Sequence, residues 1–94
     1  MRPPPNPALL RALGDEVRSR RLAGSLSQEA LAAAAQVDRT TIARIELAKV
    51  HSSVSVFVAL ADALNIDPAA LLSGALVRYK KEMRAASRVR SLLS

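Results

Sequence analysis

Between Gln28 and Leu47 the apolar residues fall at Leu31, Ala35, Val37, Ile42 and Ile45, with the small Ala32 between the first two. No single helix uses that spacing. Leu31 and Ala35 form an i, i+4 stripe and Ile42 and Ile45 an i, i+3 stripe, while Gln36-Val37-Asp38 supplies a turn and an N-cap residue. The pattern predicts two short helices packed at a steep angle, a helix-turn-helix, whose second member can enter the major groove of DNA.

Around this unit the same periodicity predicts further helices. Asn6 is an N-cap and Pro7 a first helical residue, and Leu9, Leu10, Leu13, Val17 and Arg21 recur at helical spacing, giving a first helix over about 7–22 with Gly14 weakening its middle slightly. Residues 1–6 read as an extended proline-rich arm. Ala23-Gly24-Ser25-Leu26 breaks the pattern, with Leu26 expected to plug the core from the loop. Ser27 caps a second helix over about 28–35, with Glu29 near the positive end of its dipole.

Asp38 caps a third helix over about 39–47, leaving Arg39, Thr40, Ala43, Arg44 and Leu47 on faces away from Ile42 and Ile45. A polar loop, Lys49 to Ser53, leads to a fourth helix over about 54–64, whose stripe of Val54, Phe57, Leu60, Ala61 and Leu64 puts Phe57 forward as the central core aromatic. Asp67 and Pro68 open a short fifth helix that closes the bundle through Leu71 and Leu72 and ends near Gly74. Beyond it, Leu76, Tyr79, Met83, Ala86 and Leu93 line one side of a further helix and Lys80, Lys81, Arg84 and Arg88 the other. That helix either packs back on its own protomer or pairs with a second copy, and pairing is the preferred expectation. The chain thus divides into an arm (1–6), a helix-turn-helix domain (7–74) and a basic amphipathic helix (75–94) that could serve dimerisation.

Composition narrows the chemistry. Half of the 94 residues are apolar but only Phe57 and Tyr79 are aromatic, and the abundance of alanine and leucine favours an all-α fold. With no cysteine, one histidine (His51) and no clustered carboxylates, neither a disulfide framework nor a Cys/His metal site is available, and no cofactor is implied. His51 has no evident nucleophile or acid partner, which argues against an enzyme. The N-terminus lacks the apolar run of a signal peptide and no window approaches eighteen continuous apolar residues, so a cytoplasmic protein with no membrane partner is expected. The formal charge of +6 is uneven: residues 1–74 hold eight Lys/Arg against seven Asp/Glu, whereas residues 75–94 hold six against Glu82 alone. The field of the chain therefore sits mostly in the tail, either as a DNA contact or as a solvated helix face.

From Leu13 to Leu72 the chain resembles the XRE/Cro family of helix-turn-helix regulators. The resemblance rests on Leu13-Gly14 with Val17-Arg18 and Arg21, on Leu26-Ser27-Gln28-Glu29-Ala30-Leu31-Ala32, on Thr41-Ile42-Ala43-Arg44-Ile45-Glu46, and on Leu60-Ala61-Asp62-Ala63-Leu64 followed by Ala70-Leu71-Leu72. It implies the five-helix fold of small phage repressors and restriction-modification controller proteins, here with an additional C-terminal helix. Gln36 stands where the family usually turns on glycine, and Glu46-Leu47-Ala48 and Ser52 replace its E-x-G and following proline. A positive φ at Gln36 would cost on the order of 1 kcal/mol.

The resemblance also implies site residues. Gln28 would sit over the phosphate backbone, and Arg21 and Glu46 would form a buried ion pair linking the first helix to the end of the third. From the helix faces alone, Arg39, Thr40 and Arg44 are the candidates for reading base edges, with Arg matching the two acceptors of guanine and Thr the thymine methyl. Ser27, Gln28, Thr41, Lys49, His51 and Ser53 are the candidates for phosphate contact, with Thr41 alternatively bonding locally to Asp38 and Arg39 alternatively a phosphate anchor. One recognition helix reads only a few base pairs, so a homodimer on an inverted repeat is expected, with half-sites roughly 34–36 Å apart. A small autoregulatory repressor without an effector domain fits these features. The competing expectation is an antitoxin or anti-activator that captures a protein partner through residues 75–94.

Overall fold

Short polar side chains open four of the helices in the computed structural model, which describes residues 6–94 and holds α1 (Pro7–Ala23), α2 (Gln28–Ala35), α3 (Arg39–Glu46), α4 (Val54–Ala63) and α5 (Pro68–Leu93). Asn6, Ser27, Ser53 and Asp67 accept hydrogen bonds from the amides of Leu9, Ala30, Val56 and Ala69, each satisfying an N–H that the helix leaves unpaired. Asp38 departs from expectation. It holds the extended N-cap conformation before α3, but its side chain makes no cap bond; the first turn is closed by the main chain, Thr41 N–H donating to Asp38 O at 3.0 Å. Apart from Asn6, the proline-rich arm lies outside the described residues.

Helices α1 to α4 all end in one way. Just past each of them a single residue turns into the left-handed region, Ser25, Gln36, Ala48 and Asn65, at φ between 55° and 58°. The amide of the next residue then reaches back to the last turn: Leu26 to Arg21, Val37 to Ala32, Lys49 to Arg44 and Ile66 to Ala61, at 2.8–3.0 Å. These are Schellman closures, which favour glycine at the left-handed position. None of the four is glycine, and among them Asn65 alone is a residue that tolerates the conformation well. Replacing Gln36 or Ala48 by glycine should therefore raise stability by about 1 kcal/mol each, or roughly 4–8 °C in melting temperature. Circular dichroism melts check this, and a lowered midpoint would mean that the freer unfolded chain outweighs the relieved strain.

The centre of the core is aliphatic. Val17, Leu31, Ile42, Ile45, Leu60 and Leu71 are its largest fully buried side chains, drawn from all five helices. Phe57 is not the central aromatic that the stripe on α4 suggests: it is half-buried at the edge of the core, lining an apolar groove with Leu9, Leu13, Val54 and Leu72. Leu26 is likewise only half-buried. Among the described residues, no single helix is long and apolar enough to cross a membrane.

The fifth helix does not stop at Gly74, and no separate sixth helix follows; α5 is continuous for 26 residues. A glycine inside a helix costs only about 1 kcal/mol relative to alanine, and two contacts just beyond Gly74 outweigh that. Ala75 is completely buried, and Arg78 Nε donates to Glu16 Oε1 at 2.8 Å. Gly74 itself faces the Glu16 carboxylate so closely that any Cβ there would collide with it. Glu16, buried on α1, also accepts from Arg20 Nε at 2.8 Å, so one carboxylate ties two arginines on two helices. Burial alone would raise its pKa, but the hydrogen bonds from Arg78 and Arg20 prevail and hold it below the ordinary glutamate value.

Glu16 faces Gly74 and Arg78, while Arg11, one turn and a half nearer the start of α1, pairs with Glu82. Helix α5 thus runs antiparallel to α1 and leaves the domain at the N-terminal end of α1. From residue 84 onward every residue of α5 is exposed, Leu92 and Leu93 by 85% and 81%, so the last turns project free of the bundle.

Candidate nucleic-acid interface

Helix α3 is fixed from behind. Ile42 and Ile45 are buried against α2 and α1, and α2 contributes Leu31 with the small Ala32 and Ala35, which let the two helices approach closely. Gln36 then turns the chain in the left-handed conformation, and α3 starts three residues later. On its outer side Arg39, Thr40 and Arg44 are exposed and Thr41 and Ala43 half-buried, so the three residues expected to read bases share the solvent face. Leu47, just past the helix, is 67% exposed.

The ion pair implied by resemblance is present. Arg21 Nε and Nη2 donate to the two oxygens of Glu46 at 2.7 and 2.9 Å, a bidentate fork with both side chains under a tenth exposed. Arg21 Nη1 also donates to Leu26 O at 2.8 Å, fastening the α1–α2 loop. The hydrogen bonds with Glu46 raise the arginine's pKa against the opposing effect of burial. Gln28, the first residue of α2, donates its amide to Glu46 Oε1 at 3.2 Å, which leaves one amide N–H for another acceptor. The buried carboxylate therefore positions the start of α2, the end of α3 and the loop together.

Other expected site residues have structural duties as well. Ser27 and Ser53 spend their hydroxyl oxygens capping α2 and α4; the hydroxyl hydrogen of Ser53 stays available to a phosphate, while that of Ser27 is directed to the Glu29 carboxylate. Thr41 bonds to Asp38 through the main chain only, by its amide. Lys49 and His51 are exposed in the loop after α3, and the amide of Lys49 closes α3 on Arg44 O at 2.8 Å. Arg39 is not free: its Nε lies 2.7 Å from Glu29 Oε1 on α2. The Glu29 carboxyl is held below its usual range, first by its own backbone amide and then, against a small cost of burial, by Arg39 and Ser27.

Sequence periodicity does not single out Glu16 or the Glu29–Arg39 pair. The spacing of Glu16 and Arg20, i and i+4 on one helix, is the available signal for the first. The second joins two helices whose relative placement only the fold supplies.

A family model described as a helix-turn-helix domain matches residues 12–73. Among solved structures, the restriction-modification controller protein C.AhdI from Aeromonas hydrophila is 35% identical, with 66% of this chain and 94% of that one covered and a TM-score of 0.65. The clp gene regulator ClgR from Corynebacterium glutamicum is 25% identical with 94% of each chain covered and a TM-score of 0.82, so this match takes in most of α5. The controller protein C.Esp1396I, solved as a tetramer on its natural 35 base-pair operator, is 21% identical with a TM-score of 0.70, covers 76% of this chain and 93% of its own, and speaks for the fold alone. Comparison with curated proteins finds no match. With five helices, no strands among the described residues and a helix-turn-helix at 28–46, the chain belongs to the helix-turn-helix family, as an all-α DNA-binding transcription regulator of the XRE type.

Proposed function

We propose that the protein acts as a homodimer on an inverted-repeat operator, reading each half-site through α3 and repressing its own promoter by occupying it. The observation that carries this reading is the solvent face of α3, where Arg44 and Thr40 stand exposed on a helix that two buried isoleucines and a buried ion pair hold rigid. Arg44 has no carboxylate partner among the described residues, so its guanidinium is available to guanine O6 and N7. Thr40 offers a methyl to thymine. Arg39, tied to Glu29 at the surface, is better suited to a phosphate or to a base reached only after that pair opens. Gln28, Ser27, Lys49, His51 and Ser53 supply backbone contacts that fix register without reading sequence. Pairing of two copies is favoured by the projecting end of α5, which carries Val89, Leu92 and Leu93 uncovered.

Selection of bound duplexes from a random library tests the proposal. The wild-type protein should enrich two symmetric half-sites whose centres lie about one helical turn apart, and Arg44→Ala should relax one position of each, a loss of about 1–3 kcal/mol in discrimination. A reporter carrying the selected site should fall in expression when the protein is supplied. A single unrepeated motif, or uniform weakening by Arg44→Ala, would overturn the dimer or the readout respectively.

A further inference from the structure

Pairing sorts the cations of this chain. Among the described residues ahead of the α5 tail, Arg11, Arg20, Arg21, Arg39 and Arg78 each meet a carboxylate, and the three that do not are Arg18, Arg44 and Lys49. Arg44 and Lys49 belong to α3 and its exit. Arg18 lies in another helix, and its place on that helix is informative.

Gly14, Arg18 and Arg21 stand at i, i+4 and i+7 along α1, one stripe of that helix. Its two ends both touch the end of α3. A Cβ at Gly14 would lie 2.5 Å from Ile45 O, and Arg21 grips Glu46. Arg18, between them, is directed to the same junction yet exposed, because α3 ends there and the surface opens into a depression of about 360 Å³ lined by Arg18, Arg21, Gln28, Glu46 and Leu47. Within it the Arg21 and Glu46 charges cancel, so the free charge is that of Arg18. Gln28 lines the same depression, with one amide N–H not engaged by Glu46. An unpaired arginine and an amide with a spare donor lining one open concavity beside the recognition helix fit a tetrahedral anion.

We propose that Arg18 is a phosphate clamp: with Gln28 it holds a DNA backbone phosphate in the depression between α1, α2 and the end of α3, extending the interface onto α1. This rests on the DNA-binding reading above, and the basic tail has no part in it, since α5 leaves the domain at the far end of α1 from Arg18. The clamp fixes where α3 enters the groove, not which bases it reads.

The test uses the full-length protein, a duplex selected by the wild type, and an unrelated duplex of equal length, with binding followed by fluorescence anisotropy over a salt series. Arg18→Ala should weaken both duplexes by similar factors, roughly tenfold at moderate salt. It should also flatten the plot of log affinity against log salt by about 0.9 for each phosphate that the protein no longer neutralises. Arg18→Lys should keep the salt slope while binding more weakly, and a methylphosphonate at the clamped phosphate should abolish the difference between Arg18→Ala and wild type. If Arg18 instead only complements the carbonyl end of α3, Arg18→Ala will lower the melting temperature and leave the salt slope unchanged, which overturns the clamp. Weakening confined to one base position would overturn it too. A wild-type protein that binds no duplex at low salt would instead sink the DNA-binding reading itself.

Discussion

Glu46→Ala should cost the domain about 3–5 kcal/mol, because it leaves the Arg21 guanidinium buried with no counter-charge. At the size of this domain that is a fall of more than about 10 °C in melting temperature. The magnitude follows from geometry. Both partners are under a tenth exposed and the fork is bidentate, so solvent screening does little to soften the loss. One arginine nitrogen would keep Leu26 O, which holds the side chain in place and stops it from escaping to water. Removing both partners should hurt less than removing one. An Arg21→Met, Glu46→Leu double variant replaces two desolvated charges with apolar volume and is expected to recover much of the stability. Urea denaturation of the two single variants and a double-alanine variant, read as a double-mutant cycle, gives the coupling. A Glu46→Ala protein within about 1 kcal/mol of wild type would show that Arg21 finds water, and that the pair is not what locks α3 to α1.

In the sequence that pair is legible only through resemblance, since 25 residues separate its members and no local spacing connects them. The helix-turn-helix itself is legible from the residues. Leu31, Ala35, Ile42 and Ile45 leave only one way to bury two short stripes, and all four are buried. What periodicity does not supply is depth and partnership. The stripe on α4 gives only part of its inward face: Leu60 and Ala61 reach the centre, Phe57 stays at the rim, and Val54 at the start of the helix is 80% exposed. Depth depends on how α1 and α5 close over that end, which α4 alone does not encode.

The same limit explains α5. Gly74 reads locally as a helix end, because a glycine after Leu71 and Leu72 resembles a C-cap. In the fold it is a point of contact with Glu16, far away in the chain on α1, and its φ is not positive. The turns at Ser25, Gln36 and Ala48 are the converse: left-handed residues where the chain has no glycine, held by the Schellman bonds and by the packing on either side. At Gly14 and Gly74 glycine serves close approach of helices, and other residues take the left-handed turns. Charge is the least legible property. The composition gives +6, but only the ion pairs among the described residues show that Arg39 is engaged, that Arg18, Arg44 and Lys49 have no carboxylate partner, and that the surplus in the tail lies away from α3.

The second large effect concerns Gly14. In an isolated helix Gly→Ala is stabilising by up to about 1 kcal/mol, so propensity alone predicts that Gly14→Ala makes α1 firmer. The fold reverses the sign. The added methyl would stand 2.5 Å from Ile45 O and 3.0 Å from Glu46 O, and these are backbone atoms of the last turn of α3, not the end of a flexible side chain. Relief requires α1 and α3 to separate, which stretches the Arg21–Glu46 fork further along the same face. Overpacking of this kind costs typically about 1–3 kcal/mol, enough to outweigh the helix propensity. The movement also matters for function, since α3 is the element presented to DNA. Gly14→Ala should therefore lose affinity for a selected duplex even at temperatures where it is fully folded, whereas a purely local strain would lower the melting temperature alone. Thermal denaturation with anisotropy titration at a temperature well below the midpoint separates the two, and a Gly14→Ala protein more stable than wild type would show that the helices part without cost.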